Sequence, residues 1–130
     1  MQFEPIDAWT EQLATAVMDA AFDVHRNLGP GLLESVYESC LAYEFGKRLI
    51  PFQAQLSLHV VYDNLRLDVG LRLDLLVDDR IIVELKAVEK LIPLHEAQLL
   101  TYLKLTNKRL DLLFNFNSVL LKDGFKRIVR

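Results

Sequence analysis

From Phe52 to Val88 the chain alternates apolar and polar side chains almost without interruption, and a period of two belongs to β-strands. In FQAQLSLHVVY, Phe52, Ala54, Leu56, Leu58, Val60 and Tyr62 are expected on one side, with Gln53, Gln55, Ser57 and His59 on the other. Asp63-Asn64 signals a turn. LRLDVGLRLDLLV then resumes the pattern: the apolar residues from Leu65 to Val77 face the core, while Arg66, Asp68, Gly70, Arg72 and Asp74 face away. A third strand, RIIVELKAV, follows a turn at Asp78-Asp79. Three strands joined by short turns make a sheet, and the flanking segments have to pack on it.

Those flanks have helical periodicity. Leu13, Val17, Ala20, Ala21, Val24 and Leu28 recur at the spacing of one helix face between Thr10 and Leu28. GPG at Gly29 to Gly31 stops that helix, because glycine suits a left-handed cap and proline cannot continue the turn. A second helix is expected over Leu32 to Leu49, ended by Pro51, and a third, PLHEAQLLTYLKLT, opens at Pro93. RLDLLFNFN supplies a fourth strand, and VLLKDGFKRIV a short hairpin or pair of edge strands around Asp123-Gly124. The order is α-α-β-β-β-α-β, a mixed sheet with helices packed on it.

At 130 residues and 52% hydrophobic content, the chain can bury one real core, and a single domain over 1–130 is expected. No apolar run is long enough to span a bilayer. The opening MQFEPIDAWTEQ lacks the basic region of a signal peptide, and a lone Cys40 suits a reducing compartment, so a cytoplasmic location is expected. The net charge of −3 does not advertise nucleic-acid binding, although the basic KDGFKRIVR could make one face positive.

The polar side of the central hairpin carries the chemistry. A three-residue connection, Asp78-Asp79-Arg80, pairs Val77 with Ile81, which sets Asp74 opposite Glu84 and Arg72 opposite Lys86 on one face. A two-residue turn shifts the register by one and separates the carboxylates. In the first register the two carboxylates sit with Cβ atoms ~5 Å apart and repel unless a cation lies between them. Mg²⁺ accepts hard oxygen ligands and needs only one or two protein carboxylates. Lys86 could hold a water or stabilise charge on phosphorus, a set suited to phosphodiester hydrolysis. A cross-strand salt-bridge ladder on an exposed face accounts for the same spacing.

Asp74 followed by Glu84-x-Lys86 across a hairpin, then a helix bearing Gln98, resembles the PD-(D/E)XK nuclease superfamily. HRNLGPGLLESVYE resembles the signature of the GxxExxY proteins, with Gly31, Glu34 and Tyr37 at its named positions. The similarity continues through LDVGLRLDLLV, IIVELKAVE, HEAQLLTYLKLT, LLFNFN and LLKDGFKRIV. The resemblance implies an α/β, restriction-endonuclease-like αβββαβ core with an extra N-terminal helix and a C-terminal hairpin. It implies a nuclease acting on nucleic acid, DNA rather than RNA, with Mg²⁺ or Mn²⁺. Asp74 and Glu84 would be metal ligands, with the Leu85 carbonyl and Glu34, while Lys86 would be the catalytic lysine and Gln98 the glutamine of the following helix. The proline of the superfamily motif is replaced by Leu73, and an aromatic residue common in the family by Leu71. Small nucleases of this type can pair as homodimers to cut both strands.

Weaker candidates surround this set. His95, Gln98 and Tyr102 share a helix face and could meet substrate, as could Arg72; the same face could simply be solvated. Glu34 also suits a helix first turn, and Tyr37 could orient it, contact substrate or pack in the core. A phosphate-binding glycine loop, a structural zinc site and a serine triad find no support. A non-catalytic scaffold of the same fold is the rival reading, and a phosphodiesterase of small nucleotides a third.

Overall fold

The computed structural model describes residues 4–130, and of these the side chain of Val69 is left out, so its expected core position lies outside the described residues. The elements are α1 (Ala8–Leu28), α2 (Glu34–Lys47), β1 (Phe52–Tyr62), β2 (Leu65–Val77), β3 (Ile81–Lys86), α3 (Pro93–Thr106), β4 (Leu110–Asn115) and β5 (Phe125–Val129). One five-stranded sheet runs in the order β1-β2-β3-β4-β5. All neighbours are antiparallel except β3 and β4, which α3 connects in parallel. This is the α/β, mixed-sheet fold expected from the sequence. No helix among the described residues is long and apolar enough to cross a membrane.

Local chemistry sets the helix ends. Asp7 caps α1 by accepting from the Thr10 N–H at 2.9 Å. At the other end Gly29 takes φ 72, and its N–H closes onto the His25 carbonyl at 2.7 Å. Pro93 sits in the first turn of α3, and left-handed Asn107 ends it. The C-terminal segment departs from the expected hairpin: Leu121–Gly124 is a 3-10 turn, and a single strand, β5, pairs with β4.

Helices cover both faces of the sheet. On one face, Leu13, Val17, Val24, Tyr37, Leu41 and Phe45 from α1 and α2 pack on Ile81, Val83, Leu85, Leu112 and Phe114. On the other, Leu99 and Leu103 of α3 pack on Leu71, Leu73, Leu76, Ile82 and Leu113.

This division corrects the single core face read from the β2 alternation. Leu71 and Leu73 belong to the α3 side, whereas Leu75 and Val77 belong to the α1/α2 side. In β1 likewise, Phe52 packs with the first group and Leu56, Leu58 and Val60 with the second. Both strands therefore change sides between these residues. The physical reason is local: Gln55 has φ 52, in the left-handed region, and the β1–β2 ladder omits the Gln55/Asp74 step while holding one register on both sides.

Candidate active site

The β2–β3 turn takes the longer of the two connections. Val77 pairs with Ile81, Leu76 with Ile82 and Leu75 with Val83, and there the ladder ends. The next step outward is Asp74 and Glu84. Main-chain pairing is replaced by side chains: the Asp74 N–H donates to Glu84 Oε1 at 3.1 Å, and the Leu85 N–H donates to Asp74 Oδ2 at 2.9 Å. Each carboxylate accepts where a partner-strand carbonyl would otherwise do so. The strands part at the point where the carboxylates meet. Arg72 and Lys86 do not pair across the hairpin; Arg72 lies opposite Ser57 of β1, and Lys86 opposite Asn115 of β4.

Glu84 is buried and Asp74 half-buried. Burial, then the charge of Asp74, pushes the Glu84 carboxyl up to about 9. A salt-bridge ladder would hold Glu84 ionised; here burial and the neighbouring Asp74 charge disfavour its anion instead.

The N-terminal end of α2 leans over this pair. Glu34 is pushed upward by partial burial and by the Asp74 charge, and pulled down by Lys86, so it lies within electrostatic reach of both. One turn on, half-buried Glu38 is raised by burial, lowered by a hydrogen bond from Gln55, raised by Asp74 and lowered by Arg72. From the opposite face α3 contributes Tyr102, raised by burial and then by the charges of Glu84 and Asp74. Gln98 Nε2 donates to the Tyr102 hydroxyl at 2.9 Å, which leaves the phenol proton free to point at an acceptor. The structure thus brings together Asp74, Glu84, Glu34, Lys86, Gln98 and Tyr102.

Two substrate candidates have structural partners of their own. Tyr37 is fully buried, stacked on Phe116 with ring centroids 4.7 Å apart. Its hydroxyl donates to the Gly29 carbonyl at 2.6 Å and accepts from the Leu32 N–H at 3.1 Å. It clamps the Gly29–Gly31 turn that aims Glu34, and has no surface for substrate. His95 Nδ1 accepts from the Ile92 N–H at 3.1 Å, so it closes the start of α3.

Three site residues were not singled out from the sequence. Glu38 was visible as the acid four residues after Glu34, on the same helix face. Gln55 had no signal, because nothing in its neighbourhood marks a left-handed residue. Asp111 interrupts an otherwise apolar strand, which is signal enough. It is fully buried, neither carboxylate oxygen has a hydrogen-bond partner, and burial, then Asp74's charge, holds its pKa well above the usual carboxylate range.

The donor set is hard oxygen. Among the described residues no group of three His, Cys, Asp or Glu side chains gathers as a ligand cluster. A cation would therefore rest on the Asp74/Glu84 pair, with main-chain oxygen and water completing its shell, as Mg²⁺ accepts.

Comparison with known proteins gives one match. The sequence model of the PD-(D/E)XK nuclease superfamily fits residues 11–128, nearly the whole chain. No curated protein and no solved structure matches.

Proposed function

The chain belongs to the PD-(D/E)XK nuclease superfamily, and from that premise we propose that it is a divalent-metal-dependent nuclease cutting phosphodiester bonds, with DNA as the substrate. The observation that carries this reading is the meeting of half-buried Asp74 with buried Glu84 where β2 and β3 part. Asp74, Glu84 and the Leu85 carbonyl would hold Mg²⁺ or Mn²⁺, with Glu34 at its margin. The bound cation would supply Lewis-acid polarisation of a phosphoryl oxygen.

The protein's own groups do the rest. Lys86, half-buried beside the pair, holds the attacking water by hydrogen bond and offsets negative charge accumulating on phosphorus. Gln98 fixes the Tyr102 hydroxyl, which can donate to a carboxylate or a phosphate oxygen. Arg72, exposed on β2, is placed to neutralise a neighbouring phosphate. We assign the chain to the GxxExxY branch on Gly31, Glu34 and Tyr37, and propose action as a homodimer where both strands are cut. The rival, a non-catalytic scaffold of the same fold, needs from the two carboxyls only that they accept the Asp74 and Leu85 N–H groups.

Cleavage of linear, circular and single-stranded DNA and of RNA tests the proposal, with Mg²⁺, Mn²⁺ or EDTA and with Asp74→Ala and Glu84→Ala as controls. Metal-dependent cutting by the wild type alone is expected. Identical metal-independent background in all three proteins would refute it.

A further inference from the structure

The feature of the site least explained by its chemistry is the place where β1 and β2 change sides. Gln55 has φ 52, a conformation rare for a non-glycine residue and rarer inside a strand. It stands opposite Asp74, at the step the ladder omits. Its side chain does not run free: Nε2 donates to Oε1 of Glu38 on α2. One residue therefore joins a left-handed backbone, a missing ladder step and a tie to the helix that carries Glu34.

We propose that Gln55 and Glu38 form a latch that positions Asp74 against Glu84, which makes both of them positioning residues for the cleavage reaction, an assignment that rests on the nuclease reading of the carboxylate pair. The packing supplies the reason. If Gln55 relaxed to an extended conformation, alternation along β1 and β2 would become continuous, and Leu73 and Leu75 would share a face. They occupy opposite cores instead, and Asp74 lies at the crossing. Relaxation would rotate Asp74 away from the geometry in which its N–H meets Glu84 and its carboxylate meets the Leu85 N–H. A glutamine amide held by a carboxylate across to α2 opposes that rotation. The latch also fixes the distance between α2 and the sheet beside Glu34.

Amide hydrogen exchange on the full chain reads the latch at a named proton. The Leu85 N–H is protected by Asp74 Oδ2, whereas Val83 lies in the regular ladder. In Gln55→Ala and in Glu38→Ala, Leu85 should exchange about tenfold faster, the size of one lost charge-assisted hydrogen bond, with Val83 unchanged. The double variant should be no faster than either single one, since both break the same contact. Glu38→Gln should keep Leu85 protected, because an amide oxygen still accepts from Gln55. Unchanged protection in Gln55→Ala overturns the proposal. So does loss of protection in Glu38→Gln as complete as in Glu38→Ala, or equal acceleration of Val83 and Leu85.

Cleavage kinetics run in parallel separate the two readings. With an active wild type, Gln55→Ala should lower kcat about tenfold at unchanged KM, because the loss falls on transition-state geometry rather than on substrate binding. An active wild type whose Leu85 ignores Gln55→Ala sinks the latch and spares the nuclease. A Leu85 that responds in a protein without cleavage sinks the nuclease and spares the latch.

Discussion

The two ends of the β2–β3 hairpin treat their carboxylates in opposite ways. At the turn, Asp78 accepts from Trp9 Nε1 at 2.9 Å and from Arg80 Nε at 3.3 Å, and Asp79 meets Lys108 Nζ at 2.9 Å. Both aspartates adopt positive φ, which their short polar side chains tolerate, and together they shape the turn that sets the register. At the other end Asp74 and Glu84 meet each other with only main-chain N–H groups as donors. Charges kept for architecture have been given partners. Among the described residues Asp74 and Glu84 form no ion pair of that kind, and the proposed cation site rests on this contrast.

The most severe way to break this comparison is to delete carboxylates from each end. Asp74→Ala and Glu84→Ala should each lower metal-dependent cleavage by roughly a thousandfold or more, the scale of losing a group that acts on the transition state. Asp79→Asn, which keeps a residue suited to the left-handed turn, should leave the rate within about twofold and cost at most ~1 kcal/mol of stability, as loss of an exposed ion pair does. Steady-state cleavage and urea unfolding on the same samples decide the matter. Equal losses at both ends would erase the distinction.

Asp111, level with Ile82 and Leu76 between the two ends, feels the charge of Asp74, and its unpartnered burial opposes folding. Replacement by Leu should raise stability by about 1–3 kcal/mol in urea, because an unsatisfied carboxyl disappears from an apolar layer. A loss comparable to a cavity in the core would show that Asp111 has partners the fold depends on.

Acid and base should separate the two ends further. Folded Glu84 keeps its proton up to about 9, while the unfolded chain releases it near the ordinary 4.5. Its contribution to the metal-free protein is therefore complete below that lower value and is lost as pH rises through about 9. Asp7, which caps α1 beside the turn end and lies near Arg80, has the opposite sign. The Thr10 N–H, then the Thr10 hydroxyl, lowers its pKa, so its contribution is present above the ordinary 3.8 and lost as pH falls further. Urea midpoints across pH 5 to 9 should decline for the wild type and flatten in Glu84→Gln. Smallest of all, Trp9→Phe should shift the midpoint by no more than ~1 kcal/mol through loss of its hydrogen bond to Asp78.

Much of this was legible in the sequence. Pro93 through Thr106 reads as a helix and folds as one, and of the two turn lengths the sequence left open the structure takes the three-residue one, which brings Asp74 to Glu84. Patterning carries such information because alternation and turn length are local. The exchange of sides at Asp74 was not legible. Leu71, Leu73, Leu75 and Val77 look like one continuous stripe, and the division between two cores falls at Asp74, opposite left-handed Gln55, a residue with no preference for that geometry. Glu38 and Asp111 were written plainly, but their meaning depends on neighbours brought in from other strands and helices. Tyr37 packs in the core with a partnered hydroxyl, one of the roles its helix position allowed, but the partner itself, the Gly29 carbonyl, was not legible.

Calorimetric titration of Mn²⁺ into the nucleic-acid-free protein at pH 7.5, in two buffers of different ionisation enthalpy, reads the carboxylate pair itself. If Asp74 and Glu84 form an unfilled cation site, binding must displace the proton that Glu84 retains, with about one proton released per ion. Glu84→Gln should abolish both the binding and the release, and Asp79→Asn should alter neither. Absence of binding by the wild type, or binding that survives Glu84→Gln, would contradict the account.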